Sequence, residues 1–149
     1  MNEADWLKKY YPIPANKVEG TDLDLLDHSI RKWEGLLDLE QYGLEFVPAI
    51  AAVRIKETCW IILFVDGESC ALCNRHKKYN RKQLGCRKCP LAISLGLPCD
   101  QRVSNTDSGT FYRSLYNPQI MIDALKKARE LMVYRTTHTR KGYFLLHRY

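Results

Sequence analysis

The sequence predicts an α+β fold, in which a small sheet is combined with two main helices and an inserted cysteine-rich knuckle. Three observations lead to this prediction: a stretch with helical spacing of apolar residues near the start, two runs rich in β-branched and aromatic residues in the middle, and a second helical stretch near the end. The 149 residues are 46% hydrophobic and 27% charged, which is typical of a globular domain. We therefore expect a single domain over residues 1–149.

Residues 1–20 are predicted to form an N-terminal arm. Its aromatic residues would pack as one short helical turn, and Pro12 and Pro14 would end any helix there. The opening residues carry acidic side chains and no apolar run, so we expect no signal peptide. The longest uncharged stretch, residues 89–99, is far shorter than the roughly 20 apolar residues of a membrane span. These features predict a cytoplasmic protein with no membrane partner.

The first main helix is predicted over residues 22–39. Thr21 and Asp24 have the spacing of an N-terminal capping box. Gly35 lowers helix propensity, so the helix is expected to end or bend near it. Charged residues, including Lys32, are expected on the outer faces. The predicted buried stripe, with its members three or four positions apart, comprises Leu23, Leu26, Ile30, Trp33 and Leu37.

Two β-rich runs follow, at residues 46–55 and 58–65. The second is apolar on both faces, which predicts a central strand or a strand between two layers, with Cys59 as a small core side chain. A helix at residues 118–134 and a final strand at residues 142–149, which would pair with residues 58–65, complete the predicted fold. The buried stripe of that helix is predicted to comprise Met121 or Ile122, Leu125, Ala128 and Met132.

Four cysteines form two Cys-x-x-Cys pairs, separated by twelve residues, within a predicted inserted knuckle at residues 66–100. This spacing lets two thiolates of one turn approach a single ion, and two such turns complete a tetrahedral site. We therefore predict one structural zinc ion. Cys99 is a possible substitute for one of the second pair, and His76 is a further candidate ligand. The predicted ligand set is Cys70, Cys73, Cys86 and Cys89.

Other interpretations of these cysteines remain open. Iron, alone or in an iron–sulfur cluster, is compatible with the same spacing. Disulfides are disfavoured in a reducing compartment. A thioredoxin-like redox pair is disfavoured as well, because neither pair is predicted to open a helix after a strand in a βαβ unit.

The net charge of +6 permits an acidic partner, and residues 70–99 contain no Asp or Glu. Basic side chains in this segment would make salt-dependent phosphate contacts, and an interleaved tyrosine would stack on an exposed base. A solvated basic loop that offsets the charge of the metal thiolates is the alternative. The residues predicted to contact nucleic acid are Arg75, Lys77, Lys78, Tyr79, Arg81 and Lys82.

Four pieces of the sequence together carry a resemblance to other proteins: Ser-Ile-Arg-Lys-Trp-Glu-Gly-Leu at residues 29–36, Ser-Cys-Ala-Leu-Cys at residues 69–73, Cys-Arg-Lys-Cys-Pro-Leu at residues 86–91, and Cys99. In this combination the chain resembles a diffuse group of small proteins encoded by bacteriophages and prophages, over roughly residues 23–132. The resemblance implies a phage origin, a Cys-rich zinc knuckle and no catalytic residues.

The sequence favours a non-enzymatic, zinc-braced binding protein that contacts nucleic acid through its basic knuckle. A phage inhibitor that acts by binding a host enzyme or defence protein is the main alternative. No nucleotide-binding, hydrolase or metalloprotease motif occurs. A zinc-braced HNH-like nuclease is the lesser alternative, and it would need a histidine base; Asp27 and His28 superficially resemble such a motif, but we interpret His28 as structural.

Overall fold

A computed structural model of the chain describes residues 1–76, 88–96, 99 and 109–140, with the side chains of residues 138–140 left out. Six α-helices and one three-stranded antiparallel sheet lie within these ranges, which confirms the predicted α+β class. The helices are α1 (Glu3–Tyr10), α2 (Asp22–Gly35), α3 (Ala71–His76), α4 (Pro90–Leu95), α5 (Thr110–Tyr116) and α6 (Pro118–Arg140). The strands are β1 (Leu44–Val47), β2 (Ala52–Ile55) and β3 (Ile61–Phe64).

Helix α2 packs against α1, α3 and α6. It begins after the predicted capping box of Thr21 and ends at Gly35, the glycine where an end or a bend was expected, so the predicted end at residue 39 is wrong. Leu37, predicted to be buried, lies beyond this end and is 56% exposed. On one side α2 packs along α6, and ion pairs link the two helices: Arg129 Nε lies 2.6 Å from Asp27 and Lys126 Nζ 3.5 Å from Glu34.

Helix α1 has two full turns, whereas the sequence predicts one short helical turn. Asn2 caps it in a capping box with Asp5. The indole of Trp6 is fully buried and its Nε1 donates a hydrogen bond to the carbonyl of Gly35 at 2.9 Å. A Cβ on Gly35 would lie 2.7 Å from the Tyr10 side chain and 2.8 Å from Trp6, so only glycine permits this approach. The aromatic residues therefore pin α1 against the end of α2, as predicted.

Helix α6 is longer than the sequence predicts, because it continues past residue 134 to Arg140. Its predicted stripe is confirmed: Met121, Ile122, Leu125 and Ala128 are buried, and Met132 packs against the core. Helices α4 and α5, which sequence reasoning did not predict, pack against α6. The strand predicted at residues 142–149 lies outside the described residues. No helix in the described part combines the length and apolar content needed to cross a membrane.

The sheet differs from the prediction in two respects. A short 3-10 turn over Pro48–Ile50, followed by Ala51 with φ of 50°, divides the first run into β1 and β2. In the described residues the sheet has the order β1-β2-β3, so β3 pairs there with β2 alone; its predicted pairing with residues 142–149 lies outside the described residues. Cys59 is exposed, with φ of 61°, in the turn before β3, so it is not a core side chain.

The core is one continuous cluster that includes residues of the predicted knuckle. Leu72 of α3 and Leu91 of α4 are buried in the same cluster as Trp33 and Leu125. The described parts of residues 66–100 are therefore packed into the main body through apolar contacts. Their order does not depend on a metal alone.

Candidate metal centre

A cavity of about 220 Å³ lies where α2, α3, α5 and α6 meet. Most of its wall is apolar or aromatic, and its polar lining consists of thiols, one ammonium group, two hydroxyl-bearing side chains and one carboxylate, an arrangement typical of a binding site. Its lining comprises Ser29, Lys32, Trp33, Asp66, Gly67, Cys70, Cys73, Leu91, Cys99, Phe111, Tyr112, Met121 and Leu125.

Cys70 and Cys73 form a hydrogen-bonded thiol pair. Cys70 immediately precedes α3, and the first turn of that helix places Cys73 beside it. The hydrogen bond from Cys73 holds the pKa of Cys70 well below 9.0, and the charge of Lys32 and the hydroxyl of Ser29, 3.9 Å from Cys70 Sγ, act in the same direction. The same hydrogen bond, together with burial, raises the pKa of Cys73. The Cys70 thiol is therefore the more readily ionised of the two.

Cys99 and Cys89 lie near this pair. Cys99 lines the cavity, and its carbonyl accepts a hydrogen bond from the backbone N–H of Phe111 at 2.8 Å, which ties it to the start of α5. Cys89 is the residue before α4, and its carbonyl accepts from Ile93. The negative charges of Cys70, Cys99 and Cys89 all raise the pKa of Cys73. Cys99 and the first pair thus share the cavity wall, and Cys89 packs against the same core cluster at the start of α4.

Only some of the predicted ligands lie in the cavity wall. Cys70, Cys73 and the substitute Cys99 share the cavity wall, whereas Cys86 lies outside the described residues. Within the described ranges, no three Cys, His, Asp or Glu side chains have the geometry to hold a metal ion. His76 is turned away from this role, because its Nε2 lies 2.9 Å from a carboxylate oxygen of Asp22.

Lys32 is the functional candidate that sequence reasoning missed. Predicted on an outer face of α2, it is 1% exposed, and its Nζ donates to the carbonyl of Ser69 at 2.9 Å and to its hydroxyl at 3.2 Å. Burial lowers the pKa of Lys32, while the charges of Cys70, Cys73, Asp66 and Cys99 oppose that shift. A signal was present in the sequence, because Leu25, Ser29 and Lys32 share a helical stripe beside the apolar one.

Cys70 and Cys73 share one feature of a thioredoxin-like redox pair and lack another. This pair follows β3 and opens α3, so it does lie between a strand and a helix. The sheet in the described ranges is antiparallel, so no βαβ unit surrounds the pair there. The second pair cannot be compared, since Cys86 lies outside the described residues.

The basic loop is described only at its beginning. Arg75 Nη1 donates a hydrogen bond to the carbonyl of Gly20, and His76 pairs with Asp22, so both side chains are tied to the start of α2. His76 is thus not a solvated side chain of this loop. The other residues predicted to contact nucleic acid lie outside the described residues, namely Lys77, Lys78, Tyr79, Arg81 and Lys82.

His28 has the contacts of a structural residue. Its Nε2 donates to the carbonyl of Ile13 at 2.7 Å, and its ring packs edge-on against Tyr11. Its Nδ1 is buried with no hydrogen-bond partner in the described part of the chain. The imidazole therefore fastens the N-terminal arm to α2, in accord with the structural interpretation.

Comparison of the chain with protein families, with curated proteins and with solved structures finds no match. The resemblance to phage-encoded proteins therefore stays a prediction.

Proposed function

We propose that the protein is a non-enzymatic binding protein whose helical body is braced by a zinc–thiolate centre in this cavity. The proposal rests on one observation: three thiols from two separate chain segments share a cavity wall with a fully buried ammonium group. Zinc is the ion because paired thiolates at this spacing are typical of structural zinc sites.

The charge of Lys32 supports an anionic centre. A buried ammonium group is costly unless negative charge lies near it. Zinc bound by four thiolates carries a net charge of about −2, which one buried ammonium partly offsets. The hydrogen bonds from Lys32 to Ser69 hold that charge next to Cys70. Lys32 is thus placed to stabilise the thiolates that would bind the metal.

The proposed ligands are Cys70, Cys73 and Cys99, with the fourth from the second Cys-x-x-Cys pair. This set modifies the predicted one, because Cys99 lines the cavity with the first pair. We propose Cys89 as the fourth ligand, because it precedes α4 and packs against the same core cluster as Cys70 of the first pair. Cys86 stays a predicted alternative.

Elemental analysis of the full chain, purified under reducing conditions, tests this proposal. We expect about one zinc per chain, and loss of zinc in the Cys70→Ser, Cys73→Ser and Cys99→Ser variants. Cys59→Ser is the matched control, because that thiol is exposed in the turn before β3 and should leave the zinc content unchanged. Full zinc content in Cys99→Ser would restore the predicted ligand set, and a metal-free wild type would refute the centre.

The size of the cavity favours a second candidate, an iron–sulfur cluster. A volume of about 220 Å³ is several times the roughly 30 Å³ share of one water molecule in the liquid. Cysteine thiolates are also the ligands of iron–sulfur clusters. Anaerobic purification with iron and sulfide analysis separates the two candidates: equimolar iron and sulfide with a brown chromophore would replace zinc as the assignment.

We propose nucleic acid as the binding partner, on the strength of the basic residues of the knuckle. Affinity should fall steeply with salt, because phosphate contacts release condensed counterions. Replacing Lys77, Lys78, Arg81 and Lys82 by Ala should weaken binding to many sequences alike and leave the zinc content unchanged. No retention of the wild type on DNA or RNA at near-physiological salt would favour the alternative, an inhibitor that binds a host protein.

A further inference from the structure

The edge of the sheet at β3 borders an open groove of about 640 Å³. In the part of the chain that the structure describes, β3 pairs with β2 alone. Val65 donates its backbone N–H to Ala51 at 2.7 Å across that ladder, which directs the backbone N–H and C=O of Phe64 to the outer side. The outer side of β3 therefore offers backbone groups to a further strand.

The side chains at this edge are apolar and exposed. Trp60 is 72% exposed, Ile61 43% and Phe64 49%. Natural edge strands commonly carry charges, proline or bulges that discourage pairing. The outer strand here, Ile61–Phe64, has no charged residue and no proline, although Ile62 is an extra residue in its ladder, because Val53 and Arg54 of β2 pair with Leu63 and Ile61. The composition of β3 thus suits a strand that accepts a partner.

The opposite wall of the groove is held in place by the rest of the molecule. It comprises Tyr11, Pro14, Ala15 and Asn16. The hydroxyl of Tyr11 accepts a hydrogen bond from the N–H of Ala15 at 2.9 Å, and His28 binds the carbonyl of Ile13. The groove is therefore formed before any occupant arrives, which lowers the ordering cost of binding.

The groove is acidic at one end. Asp66 and Glu68 lie in its lining, and the described lining contains no Lys or Arg. The carboxylate of Asp66 is fixed at the end of the strand by the N–H groups of Glu68 and Ser69. A positively charged side chain would complement this end of the groove.

We propose that β3 binds an extended peptide segment of a partner protein by strand addition, with Lys or Arg of that segment beside Asp66 and Glu68. Backbone hydrogen bonds to the edge provide affinity, and alternate apolar side chains contact Ile61, Phe64 and the arm. This site goes beyond the proposed function, because it uses neither the thiols nor the basic loop.

Fluorescence anisotropy with short labelled peptides of alternating valine and threonine tests the proposal on the full chain. Two probes carry lysines at the amino or the carboxyl end, and matched probes carry glutamates instead. One lysine probe should bind about tenfold more tightly than its glutamate counterpart. N-methylation of alternate amides should abolish binding, because it removes the donors that a strand needs. Binding that survives N-methylation, or no binding of any probe, would overturn the proposal.

Variants of the protein test whether the peptide binds at β3. Phe64→Ser with Ile61→Ser should remove peptide binding, and Glu68→Gln should reduce the preference for lysine. Leu37→Ser is the matched control, since Leu37 is equally exposed but lies outside the groove. Two results would assign the edge to another occupant and overturn the proposal: a dimer that Phe64→Ser dissociates, or peptide binding that appears only when Tyr143 and Leu145 of the chain's own tail are changed to Asp.

Discussion

Apolar side chains are usually buried and charged side chains exposed, and the helical body and the three-stranded sheet each depart from this rule, in opposite ways. The body buries a charged side chain, Lys32, among thiols, whereas the sheet exposes Trp60, Ile61 and Phe64. Buried charge and exposed apolar surface are each unfavourable in isolation. Each region is therefore suited to a different kind of occupant: an ion in the body and an apolar segment at the sheet edge.

The largest expected effect follows from removing one thiol of the body. Cys73→Ser should abolish zinc binding and reduce amide-exchange protection in α3 and α4 far more than in α2, because metal coordination contributes on the order of 10 kcal/mol to a structural site. Hydrogen exchange with and without a chelator measures this. Equal protection in both conditions would show that the apolar contacts of Leu72 and Leu91 suffice.

Replacing the buried ammonium separates metal binding from packing. Lys32→Met should weaken zinc affinity by about 10- to 100-fold, the usual effect of losing a residue that supports metal ligands. The metal-free variant should be as stable as the wild type or more stable, because it no longer buries a charge. Competition with a chromophoric chelator and denaturant unfolding give the two values. A metal-free variant that is markedly less stable would mean that Lys32 serves the fold alone.

A change at Gly35 probes the packing of the body without touching the cavity. Helix propensity alone predicts that Gly35→Ala stabilises α2. The rings of Tyr10 and Trp6 leave no room for a Cβ, so we expect a loss of about 1–3 kcal/mol in the free energy of unfolding. Gly67→Ala is the control, because its nearest neighbour is 4.0 Å away. Increased stability of Gly35→Ala would show that α1 does not pack as described.

The stability of the arm should depend on pH through His28. Burial lowers its pKa in the folded state below the ordinary value of 6.5, so the unfolded chain binds the proton more tightly. Stability is therefore full above about pH 6.5 and falls as the pH decreases from there towards the lower folded-state pKa. We expect a modest fall in unfolding midpoint over this window. His28→Gln should flatten the dependence, and an unchanged slope would exclude this residue as its source.

The sheet should show the smallest effect on stability. Ile61→Ser with Phe64→Ser removes apolar surface that is already exposed, so the free energy of unfolding should change by no more than about 0.5 kcal/mol per site. Denaturant unfolding measures it. A loss of several kcal/mol would mean that these side chains belong to the core, and the contrast between the two regions would fail.

Local patterns in the sequence were sufficient to predict the two main helices. The capping box at Thr21 and the stripe of α6 are patterns within one turn or a few, and the structure reproduces them. The local stripe of Leu25, Ser29 and Lys32 signals the burial of Lys32, but its partner Ser69 and the need for glycine at Gly35, set by Trp6, depend on segments distant in the sequence. The order of the described strands does not follow from the apolar run of β3, because such a run reports burial and not strand order.

The cysteine spacing predicted which part of the sequence forms the candidate site, but not which cysteines line the cavity. Cys70 and Cys73 of the predicted set lie in contact. The position of Cys99 depends on the hydrogen bond of its carbonyl to Phe111 at the start of α5, a helix that sequence reasoning did not predict. Zinc and all four of its ligands stay predictions.

The three tryptophans of the chain stand in three different surroundings. Trp6 is fully enclosed between α1 and α2, Trp33 forms part of the cavity wall near the ammonium of Lys32, and Trp60 is largely in solvent beside β3. The native protein therefore contains its own set of fluorophores. Single-tryptophan variants would report separately on each place: quenching at Trp33 as a metal enters, and a blue shift at Trp60 as a peptide covers the edge. Emission from Trp6 should change only when the whole chain unfolds.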